Sequence, residues 1–197
     1  MDLRKRRSQD KLQVVLAQHL QRKTIDAITI GELTRTAGVS RQTFYSNFDS
    51  KQSILLNRIE VLFDKSRAYF EPIVRRDDIG RQEVIEMGLR HLLEECDKEK
   101  TLMRAAFTGQ AGIQCLSLLK SLVSKLISDR ILILQRINYN FDSEQLDVIA
   151  DFYAGALIGT IQGWLLDDTG VKNVDTVITT VGRLFANGLD SFVTKDS

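Results

Sequence analysis

A chain of 197 residues with 43% hydrophobic side chains has ample material for a core, and one proline with 12 glycines leaves little for flexible linkers. Two cysteines without CxxC spacing and two isolated histidines, His19 and His91, match none of the common zinc patterns, so no metal, cofactor or catalytic residue is expected. The net charge of +1 hides an asymmetry: the first 58 residues carry 11 Lys/Arg against five Asp/Glu, the remainder 16 against 21, so the N-terminal segment suits a polyanion such as DNA and the rest does not.

The start, Met1 to Arg7, is basic but has no apolar stretch behind it, so no signal peptide is expected and the expected compartment is the cytoplasm. In a reducing compartment Cys96 and Cys115 read as buried thiols. Period-2 alternation is scarce, which points to an all-α chain.

Leu12, Val15, Leu16 and Leu20 recur at helical steps and predict a first helix over 10–20, preceded by a basic arm. Thr29 and Glu32 form a Thr-x-x-Glu capping box, so a second helix starts at Ile30. Gly38 ends it by offering a positive φ. Ser40 caps a short third helix, 41–47, and Asp49 or Ser50 caps a fourth that runs toward Pro72. Helical patterns follow at 81–96, 99–109, 112–138, 143–166 and 174–193, for about nine helices in all. The expected domains are 1–50, a helix-turn-helix, and 51–197, an effector-binding and dimerisation bundle, with the physical boundary inside the fourth helix.

The segment from Ile28 to Phe48 encodes two short helices around a tight turn. Ile30, Leu33, Val39 and Phe44 can close a small core, while Ala37 and Gly38 let the helices approach closely. On the outer face of the second short helix stand Arg41, Gln42, Thr43, Tyr45, Ser46 and Asn47, with Lys51 one turn beyond and no carboxylate among them. Arg and Gln match guanine and adenine edges, whereas Thr, Tyr and Lys commonly hold phosphates.

The run Ala37-Gly38-Val39-Ser40, then Thr43-Phe44-Tyr45, Phe48 and Ser50-Lys51, resembles the TetR/AcrR regulators over about the first sixty residues. The resemblance implies a transcriptional regulator, usually a repressor, that binds a double-stranded DNA operator as a homodimer and senses a small-molecule effector. Carried over, it makes Arg41 and Gln42 candidate base contacts, with Ser46 suited to either role and grouped with them. Thr29, Thr43, Tyr45, Asn47 and Lys51 become candidate backbone contacts. Gly31 departs from those members that place a longer base-contacting side chain there, and Thr34 stands where alanine is frequent.

From Phe152 to Leu166 fifteen residues lack charge, too short a run for the ~20 apolar residues of a membrane span. Gly155, Gly159 and Gly163 fall at four-residue steps, and Gly in a helix interior costs up to about 1 kcal/mol relative to Ala, so close approach of another backbone or a ligand is expected, with packing inside one subunit as the alternative. With Val181, Leu184 and Phe185 of the amphipathic last helix they are the expected dimer interface. Met87, Met103, Phe107, Tyr139, Phe152 and Trp164 are the expected lining of an effector pocket, a set that ordinary core would also supply. Rival readings are a transcriptional activator or a regulator that answers to a protein partner, then a small helical enzyme, which would need a nucleophile, base or metal grouping, and an architectural DNA binder, which would discriminate poorly between sequences.

Overall fold

The computed structural model describes residues 3–76, 78–134 and 142–190, and these form nine α-helices and one short 3-10 turn without a strand. The helices are α1 Leu3–Leu20, α2 Ile30–Ala37, α3 Arg41–Tyr45, α4 Lys51–Ile73, α5 Arg81–Lys98, α6 Lys100–Ala105, α7 Gly109–Leu134, α8 Ser143–Leu165 and α9 Val174–Asp190. The continuations expected to 138 and 193 lie outside the described residues. So does Tyr139.

Caps set five of the nine helix starts. Thr29 and Glu32 satisfy each other's backbone N–H groups at the start of α2, and Gly38 ends it at φ 63°, ψ 38° with its N–H turned back to Arg35 O and Thr34 O. The Thr43 N–H donates to Ser40 Oγ at 2.9 Å and starts α3. Ser50 and Ser53 exchange the equivalent bonds at the start of α4, which selects Ser50 over Asp49 as the cap. Asp142 and Gln145 box the start of α8, and Asn173 Oδ1 accepts from Asp175 N at 2.7 Å at the start of α9.

The largest differences from expectation are at α1 and between α6 and α7. The basic arm is not separate from α1: Arg4, Lys5, Arg6 and Arg7 are helical and exposed, because Lys and Arg are good helix formers. α6 stops at Ala105 rather than 109, and α7 begins at Gly109 rather than 112, with a left-handed φ of 65° at that first residue.

Packing divides the chain into two compact units, Met1–Val61 with Glu99–Leu118, and Leu62–Lys98 with Leu119–Ser197. The division falls inside α4 and again inside α7. In the first unit, α1 packs on α2 and α6, and the core gathers Leu12, Leu16, Ile25, Ile28, Leu33, Phe44, Ile54, Leu55 and Ile59, each at most 2% exposed. Burying a ring such as Phe44 contributes about 1.5–3 kcal/mol. Ile25 opens and Ile28 follows the 3-10 turn Ile25–Ala27, which helical periodicity does not reveal.

In the second unit α4 and α5 run antiparallel. Lys65 Nζ faces Glu95 Oε2 at 3.7 Å, the Tyr69 ring stacks on His91 at 3.9 Å and 12°, and the Phe70 ring occupies the space a Cβ on Gly88 would need. α9 packs along α5, with Gly182 against Glu86. α8 is 23 residues long and apolar enough to span a bilayer by length and composition, so the expectation of too short a run does not hold. Its buried row, Ile149, Ala150, Tyr153, Ala154, Leu157, Ile158, Ile161 and Leu165, lies inside the unit, as in a core helix.

Candidate nucleic-acid interface

The helix-turn-helix is stiffened from below and bare on top. Phe44 is fully buried, and Phe48 and Leu33 complete the contact beneath α3. Helical spacing then turns Arg41, Gln42 and Tyr45 outward together, and all three are exposed, Tyr45 by 57%. No hydrogen bond or ion pair occupies them among the described residues, so their donors and acceptors are available to a ligand.

The other expected contacts are already engaged. Thr43 Oγ1 lies 2.9 Å from Ser40 Oγ. Ser46 Oγ donates to Thr43 O at 2.9 Å and Asn47 Nδ2 to the same carbonyl at 2.6 Å, which closes the C-terminal end of α3. Asn47 is half-buried, with its Oδ1 enclosed and unpartnered. Thr29 belongs to the capping box, where its Oγ1 donates to Glu32 Oε2 at 2.9 Å.

Lys51 departs furthest from its expected role as a free cation for phosphate. Its ammonium donates to Asp26 O at 2.8 Å and Ile28 O at 2.7 Å, tying the start of α4 to the 3-10 turn ahead of α2. One of its three N–H groups remains. Glu32 is similarly committed: Lys23 Nζ at 2.6 Å and the Thr29 N–H at 2.8 Å hold its carboxyl at a pKa of about 2, with the lysine the larger cause.

On α8, Gly155 and Gly159 have no atom of the described residues within 4 Å of where a Cβ would stand. Packing inside the subunit therefore does not require them. Gly163 differs, because Lys172 lies against it and donates from Nζ to its carbonyl at 2.8 Å. Phe152 is 69% exposed, which corrects its placement in a pocket lining; with Val148 at 64% it forms one stripe with Gly155 and Gly159. On α9, Leu184 is 65% exposed, whereas Val181 is 7% exposed and Phe185 packs its ring on Tyr153 at 4.3 Å. Val181 thus belongs to the subunit core: it shares a face with Ile178, one turn earlier, that is covered within the unit.

The remaining expected pocket residues fall into different units. Met103 and Phe107 are buried in the first, and Met87 and Trp164 are half-buried in the second. Sequence reading missed two enclosed polar atoms of the second unit, Ser66 Oγ on α4 and His91 Nε2 on α5, neither of which has a hydrogen-bond partner among the described residues. Both thiols are inert in kind: burial pushes Cys96 up to about 12 and Cys115 to about 11.

A buried, capped helix-turn-helix with an exposed polar second helix, followed by a helical C-terminal region, defines a DNA-binding regulator. Residues 17–57 match the family described as "Bacterial regulatory proteins, tetR family", and residues 83–175 match "Transcriptional regulator C-terminal region". The chain belongs to the tetR family of transcriptional regulators. It is 33% identical over 70 residues to the HTH-type transcriptional regulator EthR of Mycolicibacterium smegmatis, a match spanning 36% of this chain and 32% of that relative. Its fold is similar to that of a TetR-family regulator from Syntrophomonas wolfei (TM-score 0.75, 17% identity, 96% of this chain and 98% of the other). It is also similar to Thermus thermophilus FadR, a transcriptional repressor solved with lauroyl-CoA (TM-score 0.70, 17% identity, 96% and 97%).

Proposed function

We propose that the chain represses transcription as a homodimer on a palindromic operator, with residues 1–50 carrying the DNA contacts and the α3 helices of two copies entering successive major grooves. The observation that carries this reading is the contrast within the helix-turn-helix: Arg41, Gln42 and Tyr45 are exposed with no hydrogen bond or ion pair among the described residues, while the residues around them are fixed by internal bonds. Arg41 and Gln42 read base edges; Tyr45 meets the backbone, and Thr29, Thr43, Ser46, Asn47 and Lys51 hold the frame and reach phosphate with what capacity remains. A dimer seated on DNA excludes other proteins from that site, so repression is the expected output.

The second copy is proposed to cover the stripe of Val148, Phe152, Gly155 and Gly159 with Leu184, since exposed apolar residues beside bare glycines suit close helix approach. Release by a small-molecule effector is proposed within the second unit. Ser66 Oγ and His91 Nε2 support it, because buried polar groups without partners are costly unless something else satisfies them.

The test is selection of a binding site from random double-stranded DNA, followed by affinity for the selected and scrambled sequences at several salt concentrations. The expected result is at least about a thousandfold preference for the selected site, on a two-fold-symmetric consensus. Equal affinity for both would replace this reading with an architectural binder.

A further inference from the structure

Gly31 lies in the first turn of α2, and its backbone does not call for glycine: the positive-φ glycines are Gly38, Gly109 and Gly170. The space around it is open except in one direction. A Cβ at residue 31 would stand 3.3 Å from Arg41 Nη2, inside ordinary van der Waals contact, with Thr29 Oγ1 next at 3.9 Å. Alanine is the better helix former, so the bare position relinquishes helix stability, and what it admits is the guanidinium of Arg41.

We propose that Gly31 is a positioning residue for base recognition: its missing side chain gives the Arg41 guanidinium a seat across α2, and that seat selects the base pair and pose that Arg41 reads. This rests on the DNA-binding reading above. Arg41 has no carboxylate and no hydrogen-bond acceptor holding it among the described residues. The seat is therefore one of shape. Charge does not supply it, because the N–H dipoles of the first turn of α2 disfavour a cation, and the nearby Glu32 carboxylate is taken by Lys23 and Thr29. All five guanidinium donors stay unspent, and bidentate pairing with guanine demands that their plane arrive in one orientation. A methyl group at 31 displaces the flexible end of a side chain rather than backbone, so the fold survives and the orientation changes.

The experiment uses the full chain and an operator selected from random DNA, with each base pair of one half-site replaced in turn. Affinity profiles are compared for the unaltered protein, Gly31→Ala, Arg41→Ala and the double variant. Gly31→Ala is expected to change preference by about tenfold at the base pairs that Arg41→Ala affects and at no others. Affinity for scrambled DNA should stay within about twofold, and the thermal midpoint should be equal or higher, as alanine in a helix implies. The double variant should match Arg41→Ala alone. A Gly31→Ala profile identical to the unaltered one overturns the proposal. So does an even loss on all DNA, which would mean that Gly31 serves approach to the phosphate backbone, or a change at base pairs insensitive to Arg41→Ala. An unaltered protein without any base preference would overturn the DNA-reading function itself, a result visible before any variant is made.

Discussion

The outer face of α3 and the outer stripe of α8 are both exposed, and they differ in chemistry. Around Arg41, Gln42 and Tyr45 the side chains of Ser40, Thr43, Ser46 and Asn47 make internal hydrogen bonds, so the face is polar and preset around three exposed groups. Along α8 one exposed stripe holds Val148, Phe152, Gly155 and Gly159, with no described residue over the two glycines. A polar face of that kind serves a ligand that brings its own hydrogen bonds. An apolar one gains by leaving water, at roughly 25 cal/mol per Å². Charge placed on the second face should therefore do more harm than truncation on the first.

Phe152→Glu tests this with the largest expected effect. A carboxylate at the centre of the stripe should yield monomers in light scattering at micromolar concentration while leaving helix content intact, since residue 152 is not in the subunit core. Losing one of two linked half-site contacts should lower operator affinity by about a hundredfold or more. Unchanged dimers would remove α8 from the interface. On the polar face, Arg41→Ala should cost about 1–3 kcal/mol on the preferred operator and much less on scrambled DNA, measured by equilibrium titration. An equal loss on both would make Arg41 a backbone contact.

The two faces were not equally legible in the sequence. The helix-turn-helix was, because its signals are local: Thr29 with Glu32, Gly38 and Ser40 sit within a few residues of what they cap, and the observed bonds are those the spacing implies. The internal bonds of Lys51 were not legible, for the converse reason. Its partners, Asp26 O and Ile28 O, are backbone atoms of a segment 23 to 25 residues away that has no helical period. On α8 the four-residue glycine step gave the stripe, but only burial separates Gly155 and Gly159, which are open, from Gly163, which Lys172 covers. On α9 the apolar face is wide, and amphipathicity alone cannot divide Val181, buried against its own subunit, from exposed Leu184.

Lys51→Met sharpens the border between frame and contact. The apolar stem is kept and two charge-assisted hydrogen bonds are lost, so stability should fall by about 1 kcal/mol in denaturant unfolding. If the lysine serves the frame alone, the slope of log affinity against log salt stays as it was. A slope reduced by about 0.9 would show that its remaining N–H also meets a phosphate.

The smallest effect concerns the exposed carboxylate beneath the frame. Glu32 is held at about 2, against an ordinary 4.5, by Lys23 first and the Thr29 N–H next. A depressed carboxyl stabilises the folded state fully above its unfolded pKa, and that contribution is lost as pH falls through the folded one. Thermal unfolding of the unaltered protein and of Glu32→Gln should therefore differ above pH 4.5, draw together between 4.5 and about 2, and coincide below. Glutamine keeps an acceptor for the cap but carries no charge at any pH, which isolates the ionic part. Added salt should narrow the gap, since both partners are exposed to solvent. A gap of constant size from pH 6 to pH 2 would mean that the carboxylate's charge contributes nothing and that Glu32 acts by hydrogen-bond geometry alone.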